Sequence, residues 1–220
     1  MQNVQEKSTN QQTDEPSISL KFKVEWVEVL AKANSTWSIL YFQINKMDFS
    51  SKSFITTAAD LEAYVKKCKR CFQSLNHGNH IITHVHLEKT NISKLTTRKL
   101  CFIINSESMI QGHWVALLVI RAPVNVAVYL DSQNLLKQSK PSVYRNIEYF
   151  CKKNRLKLID KSFRMQNLNH KNCGYHALHF IAKFCHLSMD SFNVYLHALR
   201  NNPNKMRELS MYLFVKSHFR

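Results

Sequence analysis

The stretch Gln166-Asn167-Leu168-Asn169-His170-Lys171-Asn172-Cys173-Gly174-Tyr175 organises the reading of this chain. It sets a side-chain amide seven residues ahead of a cysteine, and an apolar run at helical spacing follows (Ala177, Leu178, Ile181, Phe184, Cys185). Asn172 suits a helix N-cap, so Cys173 falls at or just inside a helix N-terminus. The unpaired N–H groups and the dipole there favour an anion, and hence the thiolate form of a cysteine. Histidine is the natural partner for such a thiol, because its ordinary pKa of roughly 6.5 lets it exchange a proton at neutral pH.

Of the eleven histidines, His113 has the best context. It stands between Gly112 and Trp114 at the head of Trp114–Arg121, an apolar run expected to be a central strand buried on both faces. Ala122-Pro123 breaks that run, and a second strand alternates through Val124, Val126, Val128 and Leu130 to end at Asp131. Antiparallel pairing would lay the start of the first strand beside the end of the second. His113 and Asp131 would then meet without a long loop, the acid holding the imidazole's tautomer and orientation. Gln166 and the backbone N–H of Cys173 would supply two donors for an oxyanion. His170 and His176 flank the cysteine more closely in sequence, but neither sits on a strand beside an acid. Each feature alone has a structural explanation in core packing or loop chemistry. Order and spacing together carry the signal.

Elsewhere the chain divides cleanly. Residues 1–17 are polar and are expected to form a disordered tail, leaving 18–220 as one domain with its motif core at 100–186. The alternation at 18–29 suits a strand or an extended arm, and aromatic-rich 37–42 enters the fold proper. A helix is expected from Thr56 through Phe72, with Lys66, Lys67, Lys69 and Arg70 outward. Ile81–Leu87 reads as a short strand, Leu100–Asn105 as a stronger one, Ser142–Asn154 as a helix and Leu156–Ile159 as a strand. Helices at about 189–199 and 203–216 close the chain.

The charge is unusual: 31 Lys and Arg against 15 Asp and Glu, net +16. Such a surplus attracts polyanions, with nucleic acid ahead of anionic membrane surfaces and acidic proteins. Lys152, Lys153, Arg155 and Lys157, together with Arg164 and Lys171 near the cysteine loop, are the candidate contacts of a sequence-independent DNA track. No apolar run is long enough to span a bilayer, and the N-terminus carries no secretory pattern. A soluble, monomeric protein with six reduced cysteines in an intracellular compartment is expected. Cys68 and Cys71, followed by His77, His80, His84 and His86, form a possible ligand list. Its spacing matches no common zinc module, and both cysteines fall on the expected helix, so no metal is assigned.

Gly112-His113-Trp114, Tyr129-Leu130-Asp131, Gln166 and Asn172-Cys173-Gly174 resemble the catalytic motifs of the adenain (adenovirus proteinase) group. More broadly they are similar to the cysteine peptidases that include the SUMO-specific proteases. Adenain has Glu at the acid position, whereas Asp131 matches the SUMO-protease branch. Cys151 is nearest by region to the cysteine through which adenain captures its activating peptide, and a peptide cofactor is left open. The resemblance implies an α+β, papain-like fold with a small mixed sheet packed against the helix carrying the catalytic cysteine. It implies acyl transfer on viral precursor proteins during virion maturation, often at Gly-containing sites, in the virion and host nucleus. Chemistry would need no cofactor, and DNA would act as an activator. Two alternatives stand beside this: a deconjugase for ubiquitin-like modifiers, and a non-catalytic nucleic-acid-binding virion protein. The last would require a missing catalytic residue, and none is missing.

Overall fold

A computed structural model describes residues 56–68, 71, 81–107, 112–201 and 215. The expected tail, the arm at 18–29, the aromatic segment at 37–42 and the closing helix at 203–216 lie outside these residues, Val215 excepted.

Five strands form one mixed sheet in sequence order. They are β1 (Ile81–Thr83), β2 (Lys99–Asn105), β3 (Trp114–Ile120), β4 (Val126–Leu130) and β5 (Lys157–Asp160). β2, β3 and β4 are antiparallel neighbours, while β1 joins β2 and β5 joins β4 in parallel. Every residue of β3 and β4 is buried. That is why these segments read as near-continuous apolar runs rather than clean alternations.

The two faces separate by the period of two. Leu100, Phe102 and Ile104 of β2, with Val115, Leu117 and Val119 of β3, join a core built with Ile147 and Phe150. Those two come from α4 (Pro141–Lys153), which packs beside α2 (His84–Lys89). Phe102 and Phe150 meet edge to face at 5.2 Å. The alternate residues of β2 and β3 face α5 (Cys173–His186), which crosses the opposite side of the sheet. α1 (Ala58–Lys67) docks against α5 and β1, α3 (Leu136–Ser139) precedes α4, and α6 (Met189–Arg200) packs on α5. The result is the expected α+β architecture, a small mixed sheet against the cysteine helix.

Three expectations need correction. Ile81–Leu87 is a strand only to Thr83, after which His84 starts α2. A six-residue helix with one buried residue, Leu87, leaves no periodic trace to read. The helix from Thr56 begins with a full capping box between Thr57 and Asp60, but it ends at Lys67, with Cys68 extended as its C-cap. Cys68 and Cys71 therefore do not share a continuous helix. Asn172 occupies the N-cap position of α5, yet its side chain makes no capping bond. Its carbonyl accepts from Tyr175 N–H at 3.0 Å and His176 N–H at 3.3 Å instead.

Candidate active site

The antiparallel register of β3 and β4 pairs Ala116 with Leu130, which brings the residues flanking those strand ends together. His113 Nε2 lies 2.6 Å from Asp131 Oδ1. Backbone bonds hold His113 in place: its N–H donates to Ser106 Oγ at 3.0 Å, and its carbonyl accepts from Ser106 N–H at 2.9 Å. Gly112 before it has φ +114°, and a Cβ there would lie 2.4 Å from Asn105 Oδ1. Only glycine fits that entry.

Asp131 is buried, and four donors converge on its carboxylate. Oδ1 accepts from His113 and from Gln133 N–H at 2.9 Å, while Oδ2 accepts from Leu135 and Leu136 N–H, each at 2.9 Å. Burial alone would raise its pKa, but the imidazole and the backbone donors prevail and hold it down at about 2. For His113, burial works against the charged form. The hydrogen bond to Asp131 and the neighbouring Cys173 sulfur outweigh it and raise the imidazole to about 10. With Nε2 committed to Asp131, Nδ1 is the nitrogen left to face sulfur.

Cys173 is the first residue of α5 and is 7 % exposed. Its Sγ accepts from Trp114 N–H at 3.4 Å, which ties the helix start to the head of β3. The Trp114 indole donates to the Thr56 carbonyl at 2.8 Å. Gly174 meets the same residue, since a Cβ there would fall 1.8 Å from Thr56 Oγ1. Thr56, just ahead of α1, thus wedges between the two elements that carry His113 and Cys173.

Gln166 is fully buried. Its Oε1 accepts from Ser132 Oγ at 2.6 Å, its Nε2 donates to the His170 carbonyl at 3.0 Å, and its N–H donates to the Ser132 carbonyl at 3.1 Å. An amide has two N–H donors, so one of them is not used by these bonds. The loop that carries Gln166 is thereby fastened to the residue after Asp131. Ser132, Ser106 and Thr56 are the positioning residues that sequence reasoning missed. Ser132 alone had a signal, as the neighbour of Asp131.

The six candidate nucleic-acid residues are all exposed but fall in two groups. Lys152, Lys153, Arg155 and Lys157 cluster where α4 hands over to β5, and Lys153 Nζ also donates to the Glu88 carbonyl at 3.3 Å. Arg164 and Lys171 lie beyond the other end of β5, on the side of Asp131. No helix among the described residues is long and apolar enough to cross a membrane.

An imidazole hydrogen-bonded to a buried carboxylate and set beside a thiol, at the junction of a mixed sheet and a helix start, is the arrangement of a cysteine peptidase. Residues 42–218 match the Ulp1 protease family, C-terminal catalytic domain. The chain belongs to that family. A solved structure described as "Crystal structure of the de-sumoylating protease" is similar at 14 % identity and TM-score 0.41, over 72 % of each chain. Among curated proteins, none matches the chain.

Proposed function

We propose that Cys173 is the nucleophile, His113 the general base and acid, and Asp131 the acceptor that fixes the imidazole. In this reading Gln166 Nε2 and the Cys173 N–H hydrogen-bond the oxyanion. The observation that supports it most is the 2.6 Å bond between Asp131 and His113, with the Cys173 sulfur beside the same imidazole.

The Cys173 thiolate adds to the scissile carbonyl carbon, and the oxyanion forms between the two donors. As the C–N bond breaks, the His113 imidazolium gives its proton to the departing amine, leaving a thioester on Cys173. Water then attacks the thioester, His113 takes its proton, and the C–S bond breaks to release the acid and restore the thiolate–imidazolium pair.

On substrate, the family match favours cleavage at the C-terminus of a ubiquitin-like modifier, either to mature it or to detach it from a protein. A second reading is favoured by the net charge of +16: cleavage of precursor structural proteins of a virus, stimulated by duplex DNA in the virion or nucleus. One experiment separates them. The protein is incubated with fluorogenic C-terminal amides of a ubiquitin-like panel and, in parallel, with co-encoded structural proteins with and without DNA, and new termini are mapped. Turnover of a modifier amide that DNA leaves unchanged supports the first reading. DNA-stimulated cuts in the structural proteins, with the modifier panel untouched, replace it with the second. No Cys173-dependent cleavage in any arm overturns both.

A further inference from the structure

The far end of the catalytic helix carries a second cluster that peptidase chemistry does not use. The helix closes on Cys185 and His186. There the Cys68 and Cys71 sulfurs and a His186 ring nitrogen all lie within 4.8 Å of one another. Cys68 and Cys71 sulfurs are 2.9 Å apart, and the Cys71 N–H donates to Cys68 Sγ at 3.4 Å. The Cys185 thiol adjoins that of Cys71, and Cys185 Sγ lies 4.0 Å from that of Cys101 on β2. The histidines that follow Cys71 in sequence do not complete the set. His84 bonds Asn146 Nδ2 and His86 bonds Thr83 Oγ1, while His77 and His80 lie outside the described residues.

We propose that Cys68, Cys71, Cys185 and His186 form a structural zinc site. Three sulfurs and one imidazole are a soft, tetrahedral donor set that suits Zn²⁺, and four protein ligands leave no open position for catalysis. A tetrahedron with Zn–S of about 2.3 Å has edges of about 3.8 Å. The Cys68 and Cys71 sulfurs would therefore part by about 0.9 Å on metal capture, while the 4.8 Å set would draw in. The N–H bond onto Cys68 Sγ is the kind of outer contact that supports a thiolate ligand.

The surroundings suit a cation as well. Cys68 is the C-cap of α1, and His186 is the last residue of α5, so two negative helix ends meet at the cluster. A centre with three thiolates and one neutral imidazole carries a single net negative charge. Lys99 Nζ sits beside it, donating to the Phe184 carbonyl at 2.8 Å and the Leu187 carbonyl at 2.7 Å.

The test uses the full chain with Cys173→Ala, which removes the catalytic thiol as a competing ligand, purified without chelator or histidine tag. Metal content by mass spectrometry should give about one zinc per chain. Replacement by cobalt should give the visible d–d bands and sulfur-to-metal charge transfer of a tetrahedral thiolate centre. Cys71→Ser and His186→Ala should each cut zinc content at least fivefold, whereas Cys101→Ala should retain it. Because the ligand variants can misfold, chelation of the parent supplies a second readout: Tm should fall, and zinc alone, not magnesium, should restore it. Metal-free protein whose Tm ignores added zinc overturns the proposal, as does an intact mass showing a Cys68–Cys71 disulfide without metal. Zinc lost from Cys101→Ala but kept by His186→Ala overturns the ligand assignment.

Discussion

Replacing Asp131 by asparagine tests how the carboxylate sets the imidazole. The change removes a charge but keeps the shape. Oδ2 accepts two backbone N–H groups, from Leu135 and Leu136, so the amide oxygen must take that place. The NH2 then occupies the Oδ1 position, where it faces the Gln133 N–H donor and His113 Nε2. His113 is forced to accept at Nε2 and to carry its proton on Nδ1, the nitrogen that should receive the thiol's proton. The energy can be bounded from both partners. The depression of Asp131 from 3.8 to about 2 corresponds to about 2.5 kcal/mol, and the rise of His113 from 6.5 to about 10 to about 5 kcal/mol. The larger figure includes the sulfur's share, so the smaller is the better measure of the carboxylate. Adding about 1–3 kcal/mol for the opposed Gln133 donor gives a loss of about 3.5–5.5 kcal/mol, or a Tm lower by roughly 7–22 °C. Turnover should fall by about 10²–10⁴.

The pH dependence has a definite sign. The raised His113 pKa contributes stability that is complete below about 6.5 and lost as pH rises through about 10. The depressed Asp131 pKa contributes stability that is complete above about 3.8 and lost as pH falls through about 2. The basic limb of kcat/KM should therefore lie near 10 in the parent and move down toward 6.5 or below in the variant. Stopped hydrolysis of whichever substrate the parent cleaves, followed across pH, reads this directly. A variant with kcat within tenfold of the parent and an unmoved basic limb refutes the reasoning.

Other predictions rest on single contacts. Cys173→Ala should abolish cleavage while leaving the circular dichroism spectrum and DNA affinity unchanged, and residual processing would show that another residue is the nucleophile. Gln166→Ala should lower kcat by about 10²–10³ with KM changed less than threefold; a KM effect alone would assign Gln166 to substrate binding. Gly174→Ala places a Cβ 1.8 Å from Thr56 Oγ1, so overpacking should cost about 1–3 kcal/mol, and unchanged thermal melting would contradict this contact. Changing Lys152, Lys153 and Arg155 to glutamine should flatten the slope of log affinity against log salt for duplex DNA by roughly 2.7, if all three contact phosphate. An unaltered slope removes that cluster from the interface.

What the sequence revealed follows from the range of each interaction. β3 and β4 were legible because burial on both faces leaves an apolar run, and their antiparallel pairing made the meeting of His113 with Asp131 a geometric consequence. Gln166 and Cys173 share one loop, so their spacing could be read locally. Thr56 was not legible as a wedge, because its partners Trp114 and Gly174 are brought to it only by the packing of α1 and α5 on the sheet. Ser106 carries no composition or periodicity that separates it from other loop serines, and Ser132 has only its place beside Asp131. The second cysteine cluster was hidden for the same reason. Its histidine was sought in the residues after Cys71, whereas the fold draws His186 from the far end of the catalytic helix.

That helix joins two thiol environments with opposite requirements. As the proposed nucleophile, Cys173 at its start needs a neighbouring cation, an accessible face and freedom to form and break a bond to carbon. Cys185 at its end is surrounded by other thiols and by the carbonyl end of the helix, an arrangement that favours a bound cation over a reactive anion. Fourteen residues at about 1.5 Å each put roughly 20 Å between the two ends. That distance keeps a metal at one end from competing for the thiolate at the other. The connection between them is mechanical. Lys99 from β2 holds the last carbonyls of the helix, while Trp114 N–H and Thr56 hold its first turn. Lys99 and Trp114 both belong to the sheet, so the helix is fastened at each end to one layer. A zinc ion at the carboxyl end would add to the clamp that rests on a single lysine without touching the residues proposed to do the chemistry.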